Sequence, residues 1–328
     1  ISQVFSTFLY TGDTSAADDS VTFSTGIDLA NEGGMLWIGC RSAARGQTIV
    51  DTEQNTNISP HDNRSGATSH SITTTSTGFT LGNGDASYNN GTTPDTYVSW
   101  SFRKAEKFFD VVTYTGNGAQ GRNIAHNLGT TVGSMMIKRT SAAYDWVVYH
   151  KELGGTKAVF LNKTDAAETN VQWFNNTAPT DSVFTVGASG GGALNFNGET
   201  YVAYIFAHNN DDGEFGSGGD ADIISCGSYT GTGNVPTITL GWEPQWLLIK
   251  SSSADGSWFL YDSMRGIPTG GDDSRIYPNL SNAEASSAED VTLIPTGFKS
   301  VSSLDENNKT YIYMAIRAPM ITEPEAAT

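Results

Sequence analysis

Five histidines, His61, His70, His126, His150 and His208, are the side chains best suited to acid–base work or to holding a transition metal. None lies in a His-Glu-x-x-His pattern and the two cysteines, Cys40 and Cys226, are far apart, so zinc chemistry has no ligand spacing to rest on. Each cysteine follows an apolar run, Met35-Leu36-Trp37-Ile38 or Ile223-Ile224, and reads as a small buried hydrophobe. Two carboxylates across a glycosidic bond would suffice for a polysaccharide depolymerase, but nothing singles out a pair, and no catalytic residue is assigned. Asp211, Asp212, Glu214, Asp220 and Asp222 sit among Gly and Asn, a setting in which hard oxygen ligands hold Ca2+. Their spacing is not that of an EF-hand loop, so a solvated linker is the leading reading and calcium the alternative. No other cofactor is expected. Gly190-Gly191-Gly192 is not followed by Gly-Lys-Ser/Thr and reads as a turn, not a phosphate loop.

Sugar recognition asks for aromatic faces framed by Asn, Asp and Thr. Tyr88 beside Asn89 and Asn90, Trp173-Phe174 before Asn175, and Tyr277 before Pro278-Asn279 meet that description. For each, burial beneath a loop is the competing reading.

The elements that must position these residues are strands. Charged residues make up 16% of the 328, whereas there are 36 glycines and long runs of Ser, Thr and Asn, all weak helix formers. A net charge of −17 disfavours nucleic acid, which needs clustered Lys and Arg. No apolar run approaches the length of a membrane-spanning helix, and no signal peptide is evident, so membrane insertion is not expected. The chain opens Ile1-Ser2-Gln3, which reads as a processed product or a fragment.

Self-similarity organises the rest. Tyr-Thr-Gly begins at Tyr10, Tyr114 and Tyr229, and a second ruler, the runs from Tyr97 to Phe102, Tyr201 to Phe206 and Tyr311 to Ile316, keeps step with it. Apolar strands at Met35–Ile38, Met135–Lys138 and Trp246–Lys250 lie between them, the last two sharing a lysine. An aromatic strand follows in copies two and three, at Asp145–Tyr149 and Ser257–Tyr261, and is missing from copy one. His150 falls where copy three has Asp262, so it is not a base common to the copies. Thr77-Gly78-Phe79-Thr80, Ser182-Val183-Phe184-Thr185 and Thr296-Gly297-Phe298-Lys299 complete the series.

The copies span 1–107, 108–208 and 222–319, with a Gly/Asp linker at 209–221 and a tail at 320–328. A unit of this length can enclose its own core, which favours three separate small domains over one closed superstructure. Strands such as Tyr201–Phe206 are apolar on both faces, as a sandwiched strand would be. The expected fold is all-β: three tandem β-sandwich domains of jelly-roll or lectin-like kind.

Several stretches carry a resemblance. Phe215-Gly216-Ser217-Gly218-Gly219-Asp220-Ala221-Asp222, Gly241-Trp242-Glu243-Pro244-Gln245-Trp246, His126-Asn127-Leu128-Gly129 and Tyr201–Asn209 are similar to a poorly characterised repeat domain of marine bacteriophage tail and fibre proteins. The resemblance covers copies two and three well and copy one weakly, and it carries over no active site. It implies a virion structural protein, assembled in the host cytoplasm and displayed on the particle surface. Its implied partners are other virion proteins, further copies of itself (a trimer among the options), and a host surface polysaccharide or receptor. A purely architectural spacer is the first alternative and a depolymerase the second.

Overall fold

A computed structural model describes residues 1–12, 20–54, 56–66, 70–82, 85–90, 94–188, 194–267, 270–286 and 288–319. The Gly190-Gly191-Gly192 turn and the 320–328 tail lie outside the described residues. In residues 1–107 the strands are β1 (Phe5–Thr11), β2 (Val21–Ser24), β3 (Gly34–Cys40), β4 (Gln47–Asp51), β5 (Asn57–Ile58), β6 (Ile72–Thr74), β7 (Gly78–Leu81) and β8 (Thr96–Arg103). The second segment holds β9 (Phe109–Thr115), β10 (Arg122–Ala125), β11 (Val132–Arg139), β12 (Val147–His150), β13 (Lys157–Phe160), β14 (Glu168–Thr169), β15 (Val183–Val186) and β16 (Thr200–Ala207). The third holds β17 (Ile224–Thr230), β18 (Thr237–Thr239), β19 (Pro244–Ser251), β20 (Trp258–Asp262), β21 (Val291–Ile294), β22 (Gly297–Ser300) and β23 (Thr310–Arg317).

The strand order repeats. The large sheets run β1-β8-β3-β4-β5, β9-β16-β11-β12-β13-β14 and β17-β23-β19-β20, so the last strand of each segment always lies between its first strand and its long apolar strand. Smaller sheets run β2-β7-β6, β10-β15 and β18-β22-β21. The protein is therefore all-β, built from several separate antiparallel sheets.

The Tyr-Thr-Gly ruler has a physical cause. Tyr10 stacks on Tyr97, Tyr114 on Tyr201 and Tyr229 on Tyr311, with ring centroids 5.1, 4.9 and 5.1 Å apart. Each first tyrosine donates its hydroxyl to a loop carbonyl, of Tyr88, Leu194 and Leu304 respectively. The glycine N–H then donates to the carbonyl of Asp95, Glu199 or Lys309 just before the last strand. A Cβ on Gly116 or Gly231 would collide with the carbonyl oxygen of Phe196 or Glu306, so the loop can close only over glycine. Gly116→Ala is expected to destabilise the chain by about 1–3 kcal/mol, the usual cost of forcing an atom into a filled site, measurable by chemical denaturation.

The alternation along each large sheet buries two faces against different neighbours. Leu36, Ile38 and Tyr97 join a core with the small sheet of the first segment, and Leu247, Ile249 and Tyr311 do the same in the third. The opposite faces, carrying Trp37, Trp100 and Phe102 in the first segment and Trp246, Leu248 and Met314 in the third, merge with the second segment into one apolar cluster. Phe102 packs edge-on to both Phe206 and Trp246, at 5.6 and 5.8 Å. The expectation of separate domains therefore fails to describe how the segments sit. Their outer faces are as apolar as their inner ones, and burying them against each other removes that surface from water.

Two full sets of equivalent hydrogen bonds, and a third in which one member is replaced, close the segments on one another in a cycle. In the first set the donors run from segment one to two, two to three and three to one. Backbone N–H groups of Gly66, Ala167 and Glu284 donate to the carbonyls of Thr140, Ser252 and Arg41 at 3.0, 2.9 and 2.9 Å. The second set runs the other way round. One residue before the β-pairs Ile38/Thr48, Ile137/Val147 and Ile249/Phe259 stand Gln47, Trp146 and Trp258. Their side-chain N–H groups donate across the seams to the carbonyls of Tyr277, Ser59 and Phe160 at 2.8, 2.9 and 2.8 Å. Copy one thus does possess the strand missing from its sequence pattern: β4 carries Gln47 where the others carry tryptophan. At the position of Lys138 and Lys250 it has Gly39, and Ile276 of the third segment packs beside it. Both lysines are fully buried; Lys138 Nζ donates to the carbonyls of Asn63, Arg139 and Tyr144, and Lys250 Nζ to those of Thr164 and Ser251.

The third set lies further along the same strands. Asp51, His150 and Asp262 hold one equivalent position, and Trp100, Tyr204 and Met314 another. Trp100 Nε1 donates to Asp262 at 3.0 Å and Tyr204 Oη donates to Asp51 at 2.8 Å. Met314 has nothing to donate, and there the acid is replaced by His150, whose Nε2 lies 3.0 Å from the Tyr313 carbonyl. A buried carboxylate facing a thioether would be unpaired, whereas a neutral imidazole can donate to the carbonyl.

Candidate functional site

The aromatic candidates are mostly core residues. Tyr88 is buried at the place of Leu194 and Leu304, where its carbonyl accepts from the Tyr10 hydroxyl. Trp173 and Phe174 lie on a one-turn helix (Val171–Phe174) capped by Asn170, and pack edge-on against Phe160 and Tyr149. None of these three presents a ring face to a ligand. Burial beneath a loop, the competing reading, describes them, because in each case the adjacent Asn caps or braces the turn that covers the ring. Tyr277 is half-buried, with the Arg275 guanidinium 5.6 Å from its ring centroid and Phe259 tilted against it.

The acidic run does not converge on an ion, and among the described residues no three His, Cys, Asp or Glu side chains form a group that could hold a metal. Asp222 accepts from the backbone of Asp211 and Gly213 at 2.9 and 2.8 Å, Asp212 accepts from Thr130 and from the Asn210 N–H, and Glu214 pairs with Lys107 at 2.7 Å. Asp220 is exposed. Residues 216–220 are exposed, but 209–221 is anchored at several points. Asn209 is buried, its Oδ1 accepting from Ile223 and Ile224 and its Nδ2 donating to Lys107, and Phe215 bridges to Ala221. Asp212 and Asp222 serve the turn's own backbone donors.

Elsewhere the buried acids are committed to structure. Asp273 Oδ2 accepts from the N–H groups of Asp290 and Val291, and burial pushes its carboxyl up to about 6. Asp290 in turn takes the Tyr261 hydroxyl and pairs with Arg275. Both acids are fully buried, so they do not flank a groove as a hydrolytic pair must. Burial also pushes the Lys138 and Lys250 ammonium groups down to about 8, and the His150 imidazole down to about 4. A histidine held below its ordinary 6.5 makes its full contribution above that pH and loses it as the pH falls towards 4. The loss is about 3 kcal/mol. Asp51 and Asp273, shifted upwards, act in the opposite sense. The difference between the wild-type chain and His150→Gln isolates the histidine. Unfolding midpoints of the variant are expected to fall less steeply between pH 6.5 and 4.

One concave feature is built differently from its surroundings. A cleft of about 430 Å3 opens at the edge of the first segment's large sheet, and all of its lining residues are polar. Thr48 and Ser87 form its floor, joined hydroxyl to hydroxyl at 2.8 Å. His61 lies against Gly46, with Nδ1 accepting from the Gln47 N–H, so that its other nitrogen carries the proton. Arg45 and Arg64 flank the opening, each held by one carboxylate, Asp95 at 3.1 Å and Asp62 at 2.5 Å. Of the residues of this cleft only His61 stands out in the sequence, as one of the five histidines. The signal available was Gln47-Thr48 at the place of Trp146-Val147 and Trp258-Phe259, and it becomes readable only once strand register aligns the copies.

No curated protein and no solved structure matches the chain. One family does match, over residues 1–319, and by that coverage the chain belongs to it: a domain of unknown function, DUF7483.

Proposed function

We propose that the chain is a structural protein of a bacteriophage virion, three β-sandwich units of jelly-roll or lectin-like kind joined as one rigid body on the particle surface. It works by shape and binding, not turnover. The observation that carries this reading is the closed set of seam bonds, in which the copies satisfy one another's buried donors. Such closure gives one chain the rigidity that a trimer of single units would need three chains to reach. The resemblance of the Phe215–Asp222 and Gly241–Trp246 stretches to phage tail and fibre repeats supplies the setting. Other virion proteins are the first partners, and a host surface polysaccharide the second. Peptide mass spectrometry and immunogold labelling of purified particles encoding this chain test the reading. Constant stoichiometry after a high-salt wash is expected, and absence from washed particles overturns it.

The polar cleft of the first segment favours a host-glycan role alongside the architectural one, because a spacer has no use for an all-polar concavity.

A further inference from the structure

Each segment turns at the same place. The loops after β3, β11 and β19 have equal length, since Ile38 faces Thr48, Ile137 faces Val147 and Ile249 faces Phe259. Their tips read Ser42-Ala43-Ala44, Ser141-Ala142-Ala143 and Ser253-Ala254-Asp255, and the third residue of each tip is exposed. Each serine oxygen accepts from the N–H of the first residue of the last strand, Thr96, Thr200 or Thr310, at 2.9, 3.0 and 2.8 Å. Serine and threonine keep that bond in all three copies, whereas the seam positions have drifted: Gln47 stands against tryptophan, Gly39 against lysine and His150 against aspartate.

The tips form a ring, because a stretch of each segment reaches from its own tip to the next one. In the first segment His61 accepts from the Gln47 N–H, and the Asn63 carbonyl accepts from Tyr144. In the second Asn162 donates to Asp145, and the Thr164 carbonyl accepts from Gly256. In the third Asn279 donates to Ser257, and the Ser281 carbonyl accepts from Gly46. Equivalent contacts that close after three steps make a three-fold arrangement. The chain passes from copy to copy at the opposite ends of the last strands, through 104–108 and 208–223, and Ile1 and Pro319 line one cleft there beside Arg103. No crossover between segments covers the ring, so all three tips can be met at once.

We propose that this ring of tips seats the chain on the three-fold axis of a homotrimeric virion protein, each tip meeting the same site on one subunit. The inference rests on the virion reading above and names the partner's symmetry and the face it meets. Serine and alanine leave little side chain to clear, so a partner surface can approach the backbone closely. The serine bonds fix the tips before contact, which lowers the ordering cost of binding. Three weak contacts carried on one rigid body then combine through effective concentration. A partner built from one repeated chain meets three like tips with one kind of site, whereas three unlike partners would have let the tips drift as the seam positions have.

Site-specific photo-crosslinking in assembled particles tests this, with a diazirine-bearing amino acid replacing Ala44, Ala143 or Asp255 of the full chain, one at a time. Irradiation of washed particles followed by peptide mass spectrometry is expected to join all three positions to the same residues of one partner protein. That partner should be present at three copies for each copy of this chain. Ala143→Trp, which props one tip away from the partner, should lower incorporation by about tenfold or more, because linked contacts are lost together. An unchanged melting temperature is the control for folding in every variant. Crosslinks to three different sites, to a second copy of this chain, or to nothing in particles that hold the chain overturn the proposal and leave the virion reading standing. Incorporation unaffected by Ala143→Trp overturns it as well. Absence of the chain from washed particles overturns the virion reading, and this inference with it.

Discussion

Asp262→Ala is expected to cost about 3–5 kcal/mol and to lower the melting temperature by about 5–10 °C, more than any surface substitution in the chain. Asp262 is fully buried and holds the seam between the third and first segments. One oxygen accepts from the Arg265 backbone at 2.9 Å; the other accepts from Trp100 Nε1 at 3.0 Å and from Arg265 Nε at 2.5 Å. The Arg265 guanidinium lies 5.4 Å from the Trp100 ring, and it also reaches Glu284 and the Leu260 carbonyl. Removing the carboxylate leaves the buried Arg265 cation with Glu284 as its remaining acid partner and strands the buried indole donor of Trp100, and breaking a buried ion pair from one side costs more than the pair itself contributes. Asp262→Asn should fall between, because it keeps the shape and one acceptor but not the charge. Thermal and urea unfolding of the three proteins checks the order. An alanine variant within about 1 kcal/mol of wild type would show that this seam carries little of the stability.

The second large effect comes from restoring an acid that the repeat would lead one to expect. His150→Asp places a carboxylate where Asp51 and Asp262 stand, but opposite Met314 instead of Tyr204 or Trp100. The substitution should destabilise by about 3–5 kcal/mol as an unpaired buried charge. Met314→Tyr alone should cost about 1–3 kcal/mol through overpacking and an unmet hydroxyl. The double variant should recover part of the loss, with a favourable coupling of about 1–3 kcal/mol, since the two substitutions together would rebuild at this seam the hydroxyl-to-carboxylate bond that Tyr204 makes to Asp51. Strict additivity in this double-mutant cycle would mean that the third seam is not equivalent to the other two.

Much of the strand architecture was legible in the residues. Tyr10, Tyr114 and Tyr229 mark first strands, and the Tyr97, Tyr201 and Tyr311 runs mark last strands. Each pair stacks across one antiparallel ladder, so the stacking partner preserves both rulers. The candidate sites were far less legible. Tyr88 looked like a loop aromatic because its neighbours are Asn, yet those neighbours are what fold the loop over it. Asp211 to Asp222 looked like ion ligands or solvated linker because a backbone donor leaves no trace in sequence. The aromatic strand is missing from the pattern of copy one because Gln47 stands where the other copies carry tryptophan, and nothing local says that an amide can take over the hydrogen bond of an indole.

The number of copies, their all-β character and the pleat of each strand follow from residue order alone. Period-two alternation, paired tyrosines and a glycine under a closing loop are local consequences of residue type. Long-range packing was needed to settle which of the two apolar faces turns inward to its own small sheet and which turns outward to the next segment. That choice rests on contacts between residues a hundred or more positions apart, such as Trp100 with Asp262 and Tyr204 with Asp51. Alternation marks both faces as buried and is silent about what buries them. The buried donors and acceptors at the seams distinguish the partners, because a buried polar group must be satisfied and here the neighbouring segment supplies what satisfies it.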